Sequence, residues 1–414
     1  MIIKNIKSLL QVRDNKEQWI AGREMAELPS IDHAFLKIRD DKIVDFGPMA
    51  SLNLSPEEEI IDADNGLVLP AFADSHSHLV FAETREGEFV DKIKGASYAE
   101  IAAKGGGILN SAKKLQQLSE AELFEIAMPR VEEVIRFGTA SIEIKSGYGL
   151  TTKDELKMLK VARRIGEETP LTVKTTFLGA HAIPKEFDNR RDYIDLVINE
   201  MIPAVADEGL ADYIDVFCET GFFTPAETEE ILLAAEPYKL VPKVHANQLG
   251  ISVGVEVGVT TNARSVDHLE CLGEEQIEAL KGSKTMPTLL PGSAFFLNNS
   301  YPPARDIIDS GLPVALATDY NPGSAPAGKM AFMTSLACIK MKMTPEEAIN
   351  AATINGAYAM DILSSHGSIA KGKQASFIIA KPEFSLAQIP YSFTGDFINQ
   401  VFIDGIEEYR NFHQ

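Results

Sequence analysis

Two histidines one residue apart, His76 and His78, close the run "FADSHSH" at residues 72–78, just behind Asp74. In a strand, alternate side chains face the same way, so this pair presents two imidazoles to one point. That is half of a metal cradle. His181, His245, His268 and Asp319 stand at or just past the ends of later apolar runs, "LTVKTTFLGAH", "LVPKVHA", "ARSVDHLE" and "LPVALATD". His76, His78 and His245 with the carboxylate of Asp319 suit one borderline divalent ion, Zn²⁺ or Fe²⁺, rather than Mg²⁺ or Ca²⁺. Such an ion lowers the pKa of a bound water from about 16 toward ~7, supplying hydroxide at neutral pH. The chemistry is metal-assisted hydrolysis. Asp319 then serves better as a base than as a strong ligand, taking a proton from the water and passing it to a leaving nitrogen. His268, one strand past His245, is placed to stabilise the developing oxyanion or to orient the water.

Eight β-rich runs carry these residues. Besides the five already quoted (counting "PAFADSH" as the first) they are "TASIEIKSG", "YIDVFCE" and "KTMPTLLP". Most are followed by amphipathic segments opened by Ser, Thr or Pro, such as "SEAELFEIAMPRVEEVIRFG" and "TPAETEEILLAAE". Strand–helix alternation implies a parallel sheet, and eight units imply an α/β fold of the (β/α)8 TIM-like barrel type. In such a barrel function sits at the C-terminal strand ends, where the histidines fall. An open doubly wound sheet is the rival, but no glycine-rich dinucleotide fingerprint follows the first run. "KGGGILN" at 104–110 follows a helix-like segment and reads as a flexible loop. Both chain ends are strand-like, with a hairpin in "AFLKIRDDKIVDFGP". They are expected to pair into one small β-sandwich-like domain of residues 1–66 plus 366–414, flanking a barrel of residues 67–365.

Composition narrows the partners. The chain has 414 residues and a net charge of −21, which argues against a nucleic-acid partner. Its 3 cysteines are widely spaced and unpaired in pattern, as free thiols in a reducing compartment are. The N-terminus does not read as a signal peptide and no run approaches a membrane span, so a cytoplasmic location is expected. Oligomeric state is not legible, and a homodimer is left open.

Further motifs extend along nearly the whole chain: "LVFAETREGEF" (79–89), "GGGIL" (105–109), "IEIKSGYGL" (142–150), "TFLGAHAIP" (176–184), "DVFCE" (215–219), "HANQ" (245–248), "DHLE" (267–270), "LLPGSAFFL" (289–297) and "ATDYNPGS" (317–324). With the histidine and aspartate pattern, they resemble the imidazolonepropionase family of the amidohydrolase superfamily. The resemblance implies hydrolysis of the ring amide of 4-imidazolone-5-propanoate to N-formimidoyl-L-glutamate, in histidine degradation. It implies His76, His78, His245 and Asp319 as metal ligands. Arg85, Tyr148 and His181 would hold the carboxylated imidazolone, with Gln248, Asn321, Gly323 and Ser324 lining its pocket. The residue types agree. Arg85 offers a planar fork for the propionate, and the glycines around Tyr148 allow close approach of the backbone. His181 could hydrogen-bond the ring and polarise its carbonyl.

Some positions depart from the superfamily pattern. "DVFCE" has no lysine to be carboxylated, which favours one metal, although Glu219 could bridge two. "NSAKKLQQ" lacks the threonine–arginine ending associated with the family. Gln248 stands where some members have glutamate, which argues against a deaminase and moves the base role to Asp319 or His268. A different cyclic-amide or cyclic-amidine hydrolase is the alternative enzyme. A non-catalytic binding barrel is the alternative of another class, and the complete ligand set speaks against it.

Overall fold

A computed structural model describes every residue except 15, 17, 55–57, 96–105 and 412–414. Both chain ends enter one sheet. Its strands are β1 (Ile2–Leu10), β2 (Ser30–Arg39), β3 (Lys42–Pro48), β4 (Ile60–Asp62) and β5 (Leu67–Pro70) from the N-terminal side. The chain then builds a second sheet from β6 (Phe72–Ser77), β7 (Thr139–Lys145), β8 (Thr172–Ala180), β9 (Tyr213–Cys218), β10 (Val241–Ala246), β11 (Ser265–His268), β12 (Met286–Leu289) and β13 (Ala315–Leu316). Finally β14 (Phe377–Ala380), β15 (Ile398–Ile403) and β16 (Ile406–Arg410) return to the first sheet, giving the order β16-β15-β14-β5-β1-β2-β3 with β4 beside β1. The strand Leu67–Pro70, which the sequence reading grouped with the barrel, pairs with β1 and β14 in this terminal sheet. β2 and β3 form the expected hairpin around Asp40 and Asp41.

The second sheet is the parallel barrel, its strands hydrogen-bonded in chain order from β6 to β13. All eight β-rich runs appear in it. The amphipathic segments form helices where expected, and three of them open with a reciprocal Ser/Thr–Glu cap: Ser119–Glu122, Thr224–Glu227 and Thr344–Glu347. One reading is corrected. Within 104–110, residues 104 and 105 lie outside the described residues, but Ile108–Gln116 is a helix entered through Gly107, so the segment is not wholly a loop.

Alternation along the strands sorts the side chains. In β7, Ala140, Ile142 and Ile144 join the apolar core between strands and helices, while Glu143 and Lys145 are buried on the opposite parity. β9 and β10 repeat the pattern. Ile214, Val216, Val244 and Ala246 face the core, and Asp215, Lys243 and His245 are buried on the other side. The barrel lumen is therefore charged.

Closure between the last and first strands is built on Asp74. β13 is only two residues long, and beyond it the chain is held to β6 by Asp319 N–H donating to the His76 carbonyl at 2.9 Å and His78 N–H donating to the Tyr320 carbonyl at 2.9 Å. The Asp74 carboxyl accepts from Thr318 N at 2.9 Å and from Thr318 Oγ1 at 2.6 Å. Burial pushes its pKa up to about 7 against the pull of the Thr318 hydrogen bonds. A folded-state pKa above the unfolded value of 3.8 means that the fold prefers the protonated form. Its contribution is fully present below about pH 4 and fades as pH rises through about 7. Asp74→Asn mimics the protonated form. In denaturant titrations this variant should gain on the parent by roughly 2–4 kcal/mol between pH 4 and pH 7. A stability difference independent of pH would contradict this account.

Candidate metal centre and active site

His76, His78, His245, His268 and Asp319 converge at the C-terminal mouth of the barrel, each no more than 2% exposed. Their donor atoms form two overlapping groups, His76 with His245 and His268, and His76 with His78 and Asp319. Asp319 Oδ1 lies 3.6 Å from Nε2 of both His76 and His78. The ring centres of His76 and His245 are 4.5 Å apart.

The imidazoles are oriented from behind. His76 Nδ1 donates to Asp267 Oδ2 at 2.6 Å, which leaves Nε2 aimed into the cluster. That Nε2 is buried and has no hydrogen-bond partner among the described residues. His245 Nδ1 lies 2.9 Å from Asp215 Oδ2. A carboxylate behind a histidine fixes the ring's tautomer and raises its basicity, as at metal centres generally. Burial, with the neighbouring cationic groups, holds the pKa values of His76 and His78 well below the ordinary range, so both rings are neutral donors. An orphaned buried nitrogen, neutral imidazoles and a nearby carboxylate fit a divalent ion.

Below the histidines lies a buried charge network. Lys145 Nζ contacts Glu143 Oε1 at 2.6 Å, Asp215 Oδ2 at 2.8 Å and Asp267 Oδ2 at 3.6 Å. Lys243 pairs with the other oxygen of Glu143. Burial opposes the Lys145 charge, but Asp215, Glu143 and Asp267 more than offset it and hold the ammonium well above its ordinary range. Burial likewise works to raise Asp215, and His245 and Lys145 overcome it and hold that carboxyl well below its usual range. None of these groups was singled out as functional from the sequence, although each places a charge inside an apolar run.

Above the cluster opens a cavity of about 780 Å³. It is lined by every predicted site residue except His76, which lies beneath: His78, Arg85, Tyr148, His181, His245, Gln248, His268, Asp319, Asn321, Gly323 and Ser324. Phe89, Lys92, Phe217 and Phe222 also line it and had not been anticipated. Arg85 crosses Gly323 so closely that a Cβ there would lie 1.5 Å from Arg85 Nη2, which is why position 323 is glycine.

Several roles differ from expectation. His181 Nδ1 is 2.9 Å from the Gly147 carbonyl, which can only accept, so Nδ1 carries the proton. Burial pushes the His181 pKa down to about 3, leaving a neutral ring whose Nε2 is an acceptor. It cannot polarise a carbonyl. Asn321 spends its amide internally, Oδ1 accepting from Gly323 N and Ser324 N at 2.8 Å each and Nδ2 donating to the Asp319 carbonyl and to Ser324 Oγ at 2.7 Å each. Ser324 Oγ in turn donates to Asp319 Oδ2 at 3.3 Å. Gln248 Nε2 donates to Ser293 Oγ at 3.3 Å. Glu219 is committed to Thr220 N at 2.8 Å and Leu249 N at 2.9 Å and joins neither donor group.

The pKa values of His268 and Asp319 are both raised, for different reasons. Burial works to lower His268, but Glu270, with Nδ1–Oε1 at 3.4 Å, and Asp319 outweigh it and raise the ring's pKa. Burial raises the Asp319 carboxyl against the pull of His268 and His245. Both groups thus hold a proton more readily than their free counterparts.

Comparison with known proteins gives the family. Residues 67–406 match the amidohydrolase family. The chain belongs to that family. It is 56% identical over 98% of both chains to an imidazolonepropionase of Flavobacterium johnsoniae, and 55% identical to one of Christiangramia forsetii over 98% of this chain and 99% of that one. Within the amidohydrolases it therefore belongs with the imidazolonepropionases. Solved structures share the fold, among them E. coli guanine deaminase (TM-score 0.74, 16% identity, 99% of both chains) and 5-methylcytosine deaminase from Klebsiella pneumoniae (0.74, 15%, 98% of both). At that identity they speak for the architecture alone. Among the described residues, no helix is long and apolar enough to cross a membrane.

The carboxylate behind His76 can be tested without an assay of turnover. Asp267→Asn should weaken metal binding about 10–100-fold in a chelator competition. Unchanged affinity would show that Asp267 serves the fold only.

Proposed function

We propose that this hydrolase opens the ring of 4-imidazolone-5-propanoate, adding water across the ring amide to give N-formimidoyl-L-glutamate. The observation that carries the reading is the pairing, in one cavity, of a His/Asp metal cluster with an arginine pressed flat on Gly323. The ligands would be His76, His78, His245 and Asp319, holding one ion, Zn²⁺ or Fe²⁺. A bound ion supplies an activated water and Lewis-acid polarisation at the scissile carbonyl.

The chain's own residues do the remaining work. Arg85 binds the propionate as a bidentate donor. His181 Nε2 accepts a hydrogen bond from a ring N–H. Tyr148, whose ring centre is 5.3 Å from that of His181, packs against the bound ring. His268, whose proton affinity Glu270 raises against burial, donates to the carbonyl oxygen as negative charge develops on it. Asp319, steadied by Ser324, accepts the proton of the attacking water and returns one to the departing ring nitrogen. The ring C–N bond breaks, and the new carboxylate and formimidoyl nitrogen share the elements of water. Gln248 and Asn321 hold the walls of the pocket. The sequence reading left the base open between Asp319 and His268, and the raised pKa of His268 favours Asp319.

The experiment is to follow loss of freshly generated imidazolone propionate with metal-loaded and chelator-stripped enzyme in parallel. Metal-dependent formation of formimidoylglutamate is expected. Turnover that survives complete stripping would remove the metal from the reaction, and no turnover by metal-loaded enzyme would remove the substrate.

Two variants separate the metal from the carboxylate anchor. His245→Ala should lose bound metal and nearly all activity. Gly323→Ala should keep its metal, because it touches no ligand, and should lower kcat/KM by about 10²-fold through displacement of Arg85. Wild-type kinetics in a folded Gly323→Ala protein would show that Arg85 is not the anchor.

A further inference from the structure

The loop of residues 146–151, which carries Tyr148, is shaped around one buried carboxylate. Glu155 belongs to the helix Thr152–Glu168 that follows the loop. Its Oε2 accepts from Gly147 N at 3.0 Å, and its Oε1 accepts from Gly149 N and Leu150 N at 2.8 Å each. The residue is 0% exposed. Three backbone donors on one carboxylate form a strong, charge-assisted clamp. Burial pushes the carboxyl's pKa up, and hydrogen bonds from Ser146, Leu150, Gly147 and Gly149 pull it back.

The other side of the same loop faces the cavity. Gly147, whose N–H is held by Glu155, presents its carbonyl to His181 Nδ1 at 2.9 Å. Gly147 has φ of +105°, and a Cβ there would lie 2.8 Å from His181 Nδ1. At Gly149 a Cβ would lie 2.3 Å from the Glu155 backbone nitrogen, so the loop is seated directly on the helix start. Gln116 Nε2 adds a bond to the Gly149 carbonyl at 2.8 Å. Tyr148 sits between these anchors, fully enclosed.

We propose that Glu155 is a positioning residue for substrate binding. Through Gly147, whose N–H it holds and whose carbonyl faces the ring, it fixes the tautomer and direction of His181, and through the loop it fixes the ring of Tyr148. This role rests on the reading of His181 and Tyr148 as substrate contacts. Glu155 touches neither the substrate cavity nor the metal ligands. A purely structural carboxylate would hold the helix start and leave the chemistry of His181 untouched.

Glu155→Gln keeps the size of the side chain but turns one of its two acceptors into a donor facing the loop's N–H groups. The variant should retain wild-type metal content. Its kcat/KM for the imidazolone should fall about 10²-fold, mainly through KM. NMR of the His181 ring nitrogens, assigned with His181→Gln, should show the Nδ1–H signal leaving its hydrogen-bonded position. Glu155→Asp should move both readouts in the same direction by less, and it stands in should Glu155→Gln not fold. A folded variant with wild-type KM and an unmoved His181 signal, whatever its thermal midpoint, would overturn the proposal. The NMR readout needs no substrate. An error in the substrate would instead appear as a wild-type enzyme inactive on the imidazolone.

Discussion

The ammonium of Lys145, sealed inside the barrel between Glu143, Asp215 and Asp267, is the interaction on which the site depends. Two of those carboxylates stand behind His245 and His76. One buried cation thus holds both carboxylates in place, and they keep two imidazoles turned toward the cavity. Ions in a barrel lumen cost several kcal/mol each to desolvate, and an apolar core would be at least as stable. Their presence is explained by what they orient. Lys243 and Glu143 extend the network.

Rigidity at the mouth is obtained by backbone that the barrel strands alone would not adopt. His268, Leu269 and Asp319 have φ values of +87°, +67° and +54°. Such conformations are disfavoured for residues with side chains and persist where surrounding bonds over-determine them. Here Leu269 N–H donates to the Ala246 carbonyl at 3.1 Å, and Asp319 N–H to the His76 carbonyl at 2.9 Å. His268 and Asp319 are thereby held at the ends of β11 and β13, two strands apart, with no freedom to collapse onto each other. Catalysis by electrostatic preorganisation requires that separation.

Much of this was legible in the sequence because strand periodicity and chemistry coincide. H-x-H at a strand end, histidines closing later runs and Asp319 after "ALAT" located the centre before any coordinates, and the eight runs located the barrel. What the sequence concealed was direction. Lys145, Asp215, Lys243 and Asp267 each interrupt an apolar run at alternate positions. Without the barrel their shared lumen cannot be seen, because the contacts join residues up to 191 positions apart. His181 stood out as a candidate contact, but its donor or acceptor character follows from a single carbonyl, that of Gly147, which only the folded loop supplies. Asn321 lines the pocket as expected, but its amide is spent as the internal brace of its own loop. The apolar rim of Phe89, Phe217 and Phe222 left no signal, since aromatic residues near strand ends belong equally well to a core.

The central claim is that the ion sits among His76, His78, His245 and Asp319, with His268 kept back as a donor. Because His76 belongs to both donor groups, the alternative is an ion among His76, His245 and His268. The direct measurement is anomalous diffraction at the metal absorption edge from crystals of the metal-loaded protein. The account predicts one peak within coordination distance of His76, His78, His245 and Asp319. A peak bonded to His268 and remote from His78 and Asp319 would contradict it.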